Sequence, residues 1–171
     1  GPSVQSSIPT APKGIKYDGG AFRPTGSKTF DTGNTIDTDV TGTGGAYTEL
    51  PDPQGSGSWK ALKDLILGAA KMTGVDGNLM AVMAAIESGF NYTVKAGSSS
   101  ATGLYQFIKD TWNTMVKRYG PKYGIAPDTP PTDPKANALM GGEYIKENLK
   151  ALKSKVNRPL TDTDAYIAHF L

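Results

Sequence analysis

From Trp59 onward the chain carries apolar residues at helical spacing. Trp59, Leu62, Ile66 and Ala69 follow an i, i+3, i+7 stripe with Leu65 beside it, while Lys60, Lys63 and Asp64 take the polar side. This pattern predicts an amphipathic helix that Gly74 ends. Asp76 stands where it can cap a second helix, in which Leu79, Val82, Met83 and Ile86 form one apolar face. Ala81, Ala84 and Ala85 make its other sides apolar too, the mark of a central helix. A third helix is expected over 109–119, with Trp112, Met115, Val116 and Tyr119 on its buried side and Gly120-Pro121 as its stop. The longest helix opens with Asp133 as cap and Pro134 in the first turn. Its buried stripe is Ala138, Gly142, Ile145, Leu149 and Leu152, and its outer face is Lys146, Glu147, Lys150 and Lys153. Gly141-Gly142 inside that helix costs about 1 kcal/mol per glycine relative to alanine, so a close approach of another backbone is the expected compensation. A last helix begins near Thr161.

Residues 1–57 keep no such period. Gly, Pro, Ser and Thr dominate, and Ile15, Phe22, Phe30, Ile36 and Val40 stand isolated. Such a stretch buries too little apolar surface to order independently. It reads as a linker, or as a strap that orders on a partner. A weak hairpin over 28–36 around Gly33-Asn34 is the competing local reading. The division is therefore an irregular extension over 1–57 and one helical domain over 58–171, with the last helix cut off at Leu171.

Composition sharpens this division. Of 171 residues, 21 are Gly and 12 are Pro, a high share for a compact globule, and they crowd the first region. Charge divides in the same place: net −2 before Ser58 and net +4 from there on. Cysteine is absent and there is one histidine, which excludes a disulfide framework, a thiolate metal site and a multi-histidine zinc site. No apolar run approaches the roughly 20 residues of a membrane span, and no secretory leader opens the chain. The start Gly1-Pro2-Ser3 reads equally as a protease scar, a processed end or a fragment boundary. Lysines scattered over helix faces, without interleaved aromatics, argue against nucleic acid. Phosphate-loop and metal motifs are absent, and no cofactor is implied.

One carboxylate is out of place. Between Gly77 and Val94 the only charged side chain is Glu87, in the last turn of the most apolar helix. Apolar neighbours and the negative end of the helix dipole both disfavour its anion, and so favour the protonated acid. A protonated carboxyl near neutral pH is what cleavage of a glycosidic bond needs at the leaving oxygen. The alternative is a solvated helix-end glutamate paired with Lys95 or another cation.

Glu87-Ser88-Gly89-Phe90-Asn91, followed after a Ser/Gly-rich loop by Gly103-Leu104-Tyr105-Gln106-Phe107-Ile108, resembles the Glu-Ser-x-Phe and Gly-Leu-Met-Gln motifs of the soluble-type (SLT) lytic transglycosylases. Asp133-Pro134 and Gly141-Gly142-Glu143-Tyr144-Ile145 resemble that family's Asp-Pro and Gly-x-x-Tyr-Leu elements, in order. The resemblance covers residues 59–171. It implies a mainly α, lysozyme-like fold with a small hairpin or loop element after the catalytic helix, acting on the glycan strands of peptidoglycan. Carried over, Glu87 is the catalytic residue and Gln106 a substrate contact; Ser88 supports the glutamate, and Tyr105 and Tyr144 line the cleft. His169 takes the place of a family tyrosine at the cleft. Tyr105 stands where the family has methionine, which leaves that side chain's role open. Ser98 to Phe107 and Ala168 to Leu171 look most like bacteriophage versions, which implies a virion-borne or endolysin-like enzyme working in the bacterial periplasm and wall, with virion or tail partners reached through residues 1–57.

Glycosidases generally use two carboxylates. From Ser88 to Lys109 there is no second acid. A single-acid mechanism fits this gap: Glu87 protonates the leaving oxygen, then accepts a proton from the C6 hydroxyl of the same N-acetylmuramic acid as a 1,6-anhydro ring closes. The alternatives are a muramidase in which Asp110 or an acid beyond Leu171 positions water, and a wall-binding or virion structural module without turnover.

Overall fold

The computed structural model describes residues 15–18, 21–24, 36, 41–161, 164, 165 and 168. The described part is mainly helical. Two short antiparallel strands, β1 (Ile15–Asp18) and β2 (Ala21–Pro24), pair with Asp18 opposite Ala21, and in the sequence two glycines stand between them. A two-residue Gly-Gly link is a recognised hairpin signal. The hairpin expected at 28–36 lies, apart from Ile36, outside the described residues.

Helix α1 (Trp59–Thr73) starts where Ser58 accepts the amide of Ala61 and stops at Gly74, which takes the left-handed conformation at φ 86°. Leu62, Leu65 and Ile66 are buried to within 1% exposure. Each is worth roughly 1.5–3 kcal/mol by the usual area scale. Helix α2 (Gly77–Ser88) is capped by Asp76, whose side chain accepts from the Leu79 amide at 2.9 Å. Met80 through Ala84 have no exposed surface at all, so α2 is the central helix that its all-round apolar pattern predicts. β2 lies alongside it.

Helix α3 (Lys109–Tyr119) buries Trp112, Met115 and Val116. Gly120-Pro121 does not end the path outright; the chain tightens there into a 3-10 turn over Gly120–Tyr123 before Gly124 reverses it. The Trp112 indole donates to the Thr129 carbonyl at 2.9 Å, tying the proline-rich connection to α3. Helix α4 (Pro134–Lys153) begins with Asp133 accepting the amides of Lys135 and Ala136. After it, Thr161 and Asp164 form a reciprocal cap, and Asp164, Ala165 and Ala168 are helical.

The paired glycines of α4 face two different neighbours. A Cβ on Gly142 would lie 2.7 Å from the Thr73 hydroxyl oxygen, so here α4 meets α1. A Cβ on Gly141 would lie 2.6 Å from a ring carbon of Tyr105, so there α4 meets the loop after α2. The compensation for two helix-breaking residues is therefore close approach on both sides.

Beside these glycines, Glu143 is buried to 2% exposure and accepts from Tyr123, Lys122 at 3.1 Å and Lys146 at 3.0 Å. Burial alone would raise its pKa, but the hydrogen bonds from Tyr123, Lys146 and Lys122 outweigh it and hold the carboxyl below its ordinary value. It locks the 3-10 turn onto α4.

Part of the irregular extension docks on the helices. Residues 41–57 run back along α1, from the Thr43 amide on the Lys71 carbonyl (3.1 Å) to the Gln54 amide on the Ala61 carbonyl (2.8 Å). Leu50 is 4% exposed and sits against Gly68. Over these residues the partner that orders the strap is the chain's own first helix.

Candidate active site

Helix α2 delivers Glu87 to its last turn, one residue before the helix ends. Gly89 closes it with φ 58°, its amide bonded to the Ala85 carbonyl. Glu87 is half-buried, and its Oε1 is shielded from solvent. Ser88 lies beside it, with its hydroxyl within reach of two carbonyls: Ala84 at 3.1 Å on the helix and Leu104 at 2.7 Å on the loop. The second contact brings the Gly103–Phe107 segment to the helix end. Helix and loop together carry the residues of the Glu87–Asn91 and Gly103–Ile108 motifs.

The loop itself is a small β element. Isolated antiparallel bridges join Lys95 to Thr102 and Thr102 to Phe107. At its turn, Gln106 adopts φ 52°, a left-handed conformation that a side chain with a Cβ visits at a cost. Its amide nitrogen offsets that cost by bonding the carbonyls of Val94 (3.0 Å) and Gly103 (2.9 Å). Gln106 is half-buried, and its side-chain nitrogen is thus committed to holding the loop in shape.

Tyr105 is placed differently from the cleft-lining position implied by the resemblance. It is 4% exposed, and its hydroxyl donates to the Met80 carbonyl at 2.7 Å. Burial pushes its pKa well above the ordinary phenol value, so it remains a donor. With its ring under Gly141 and its hydroxyl spent on α2, it supports the loop from behind and offers no face to a glycan. Tyr144 is half-buried, its ring edge-on to Phe107 at 5.6 Å, and Phe107 in turn leans on Trp112 at 5.4 Å. His169 lies outside the described residues. Asp110 is exposed in the first turn of α3.

One organising residue had not been singled out in the sequence. Asn137, without exposed surface, accepts the Tyr105 amide at 2.9 Å and donates to the Pro131 carbonyl at 2.8 Å. It joins α4 and the proline-rich connection to the cleft loop. A Cβ on Gly103 would lie 2.4 Å from the Asn137 amide nitrogen and 2.2 Å from the Pro131 carbonyl oxygen, so glycine is required there. The only signal in the sequence is an amide inside the apolar stretch Ala136 to Met140.

The arrangement is a single carboxyl at the end of a buried helix, faced by an acid-free loop. A family model for the transglycosylase SLT domain matches residues 64–166, well over half of the chain. The chain belongs to the SLT transglycosylase family. Its fold is accordingly lysozyme-like, and the small β element between α2 and α3 is the α+β feature that the resemblance implies. SLT-family members are lytic transglycosylases, so the function is of the peptidoglycan-degrading type. The match begins inside α1; the docked strap 41–57 lies ahead of it. Among the described residues, no helix is long and apolar enough to cross a membrane.

Proposed function

We propose that this SLT-family chain cleaves the β-1,4 bond between N-acetylmuramic acid and N-acetylglucosamine and releases 1,6-anhydro ends, with Glu87 as the sole acid and base. The carrying observation is Glu87 itself: the one charged side chain on a buried helix, partly shielded, beside a loop from residue 88 to 109 that holds no second carboxylate. Glu87 gives its proton to the glycosidic oxygen as the C1–O4 bond breaks, and positive charge develops at C1. The C6 hydroxyl of the same sugar then attacks C1, and the Glu87 carboxylate takes the hydroxyl proton. Glu87 ends protonated, ready for the next bond, and no water is consumed. The intramolecular nucleophile supplies the effective concentration that a second residue otherwise would.

Ser88 fixes the helix end to the loop, Gln106 presents its carbonyl oxygen toward the glycan, and Tyr144 borders the cleft through Phe107. His169 is assigned to the same cleft from the family pattern. The biological setting that we favour is the wall-opening module of a bacteriophage particle, with virion or tail partners reached through residues 1–57.

Mass spectrometry of digested sacculi tests the chemistry. Anhydro-terminated fragments, one water lighter than reducing ends, support the proposal, whereas reducing ends would make the enzyme a muramidase with Asp110 as a candidate water-positioning acid. Glu87→Gln is expected to abolish release with the fold intact. Wild-type protein that binds sacculi and releases nothing would leave only a wall-binding or structural role.

A further inference from the structure

The segment just after Glu87 is strained. Gly89 and Phe90 take successive left-handed conformations, at φ 58° and 64°, and Phe90 has no exposed surface. A bulky residue in that region costs free energy and persists only where its surroundings over-determine it. Part of these surroundings comes from residues ahead of the family match. The Gly57 amide donates to the Phe90 carbonyl at 2.9 Å, the Ser56 hydroxyl donates to the Asn91 side-chain oxygen at 3.3 Å, and the Trp59 ring packs on the Phe90 ring at 5.6 Å.

The contacts from Ser56 and Gly57 belong to a belt that is anchored elsewhere. At the far end of α1, the Thr43 and Gly44 amides bond the Lys71 and Met72 carbonyls at 3.1 and 3.0 Å, groups that the end of a helix leaves unpaired. Gly42 fits there because a Cβ would lie 2.0 Å from the Met72 carbonyl oxygen. Leu50 seats the middle of the belt opposite Gly68, and Asp52 pairs with Lys135 at 2.6 Å.

We propose that residues 41–57 form a positioning belt for the catalytic turn: docked along α1, they hold Gly57 under Phe90 and so fix the backbone three residues beyond Glu87. The inference rests on the assignment of Glu87 as the acid. The belt residues are positioning residues, none of them placed at the glycan. A structural strap would contribute to melting temperature alone; a positioning belt also sets kcat, because a displacement of about 1 Å at a reacting group costs up to a hundredfold in rate.

The test uses the full chain with Gly42→Ala and Leu50→Ala, two changes along α1 away from the catalytic turn, and Leu50→Met as the conservative control. Turnover on soluble glycan strands is measured beside hydrogen exchange at the Gly57 amide, below each variant's melting temperature. The expected result is faster exchange at Gly57, a fall in kcat of about tenfold or more, KM within about twofold, and recovery of both readouts in Leu50→Met. Fast exchange at Gly57 with unchanged kcat would overturn the proposal, as would loss of activity that merely tracks global unfolding. Glu87→Gln run in parallel keeps the two claims apart: turnover in that variant would remove the assignment of the acid whatever the belt variants do.

Discussion

Replacing Gly141 by alanine probes how tightly the cleft loop is held. The added Cβ would lie 2.6, 2.7 and 3.1 Å from three ring carbons of Tyr105. Comfortable carbon–carbon contact needs about 3.5–4.0 Å, so the ring must retreat by about 1 Å. It has little freedom to do so, because its hydroxyl is bonded to the Met80 carbonyl at 2.7 Å and its backbone amide to Asn137 at 2.9 Å. Overpacking of this kind costs about 1–3 kcal/mol, and alanine returns about 1 kcal/mol of helix propensity. The net expectation is a loss of about 1 kcal/mol in urea unfolding. Activity should fall much further, by tenfold to a hundredfold, because the displaced residue directly precedes Gln106. Adding Tyr105→Met should recover stability, since an unbranched thioether can bend away from the new methyl. A Gly141→Ala variant that is more stable than the parent and equally active would refute the steric argument.

Three further outcomes follow from the same geometry. Glu143 titrates below its unfolded value, so its contribution is complete above about pH 4.3 and is lost as pH falls through its folded value. Glu143→Gln should lower stability at neutral pH and flatten the acid limb of a stability–pH curve; an unchanged acid limb would show that the ion pairs of the buried Glu143 carboxylate with Lys146 and Lys122 are not what acid breaks. Asn137→Ala removes partners from the Tyr105 amide and the Pro131 carbonyl at a site without exposed surface, and should cost about 2–4 kcal/mol by thermal unfolding; a loss under about 0.5 kcal/mol would contradict the role given to it. Gln106→Ala should keep a cooperative melt and lose turnover, and a variant that fails to fold would make Gln106 a support of the core instead.

The helices were legible because their ends are written locally. Asp76 and Asp133 cap, Gly74 terminates, and the apolar stripes of α1, α3 and α4 bury nearly the residues that their period marks. Glu87 stood out for a related reason: a charge within an otherwise apolar helix breaks a pattern. Residues whose partners are distant in the chain gave no such sign. Asn137 meets Tyr105 across 32 positions, and Glu143 meets Lys122 across 21, so a reading by period sees one polar residue and cannot tell a buried hub from a solvated one. Tyr105 was open to misreading in the same way, because its position in a motif does not reveal that its hydroxyl turns inward to Met80. The segment 41–57 lacks periodicity since its one element is a three-residue 3-10 turn, Tyr47–Glu49; the rest borrows order from α1 through backbone amides, which composition does not register.

The two tryptophans of the chain lie against the two segments that carry the motif residues. Trp59 lies against Phe90 beyond the end of α2, and Trp112 lies against Phe107 behind the loop, each 3% exposed. Each indole is therefore a built-in fluorophore beside one segment of the proposed site, and replacing either one with phenylalanine isolates the emission of the other. Stopped-flow fluorescence of the two single-tryptophan proteins mixed with glycan strands would time the response of each segment separately, with no attached dye.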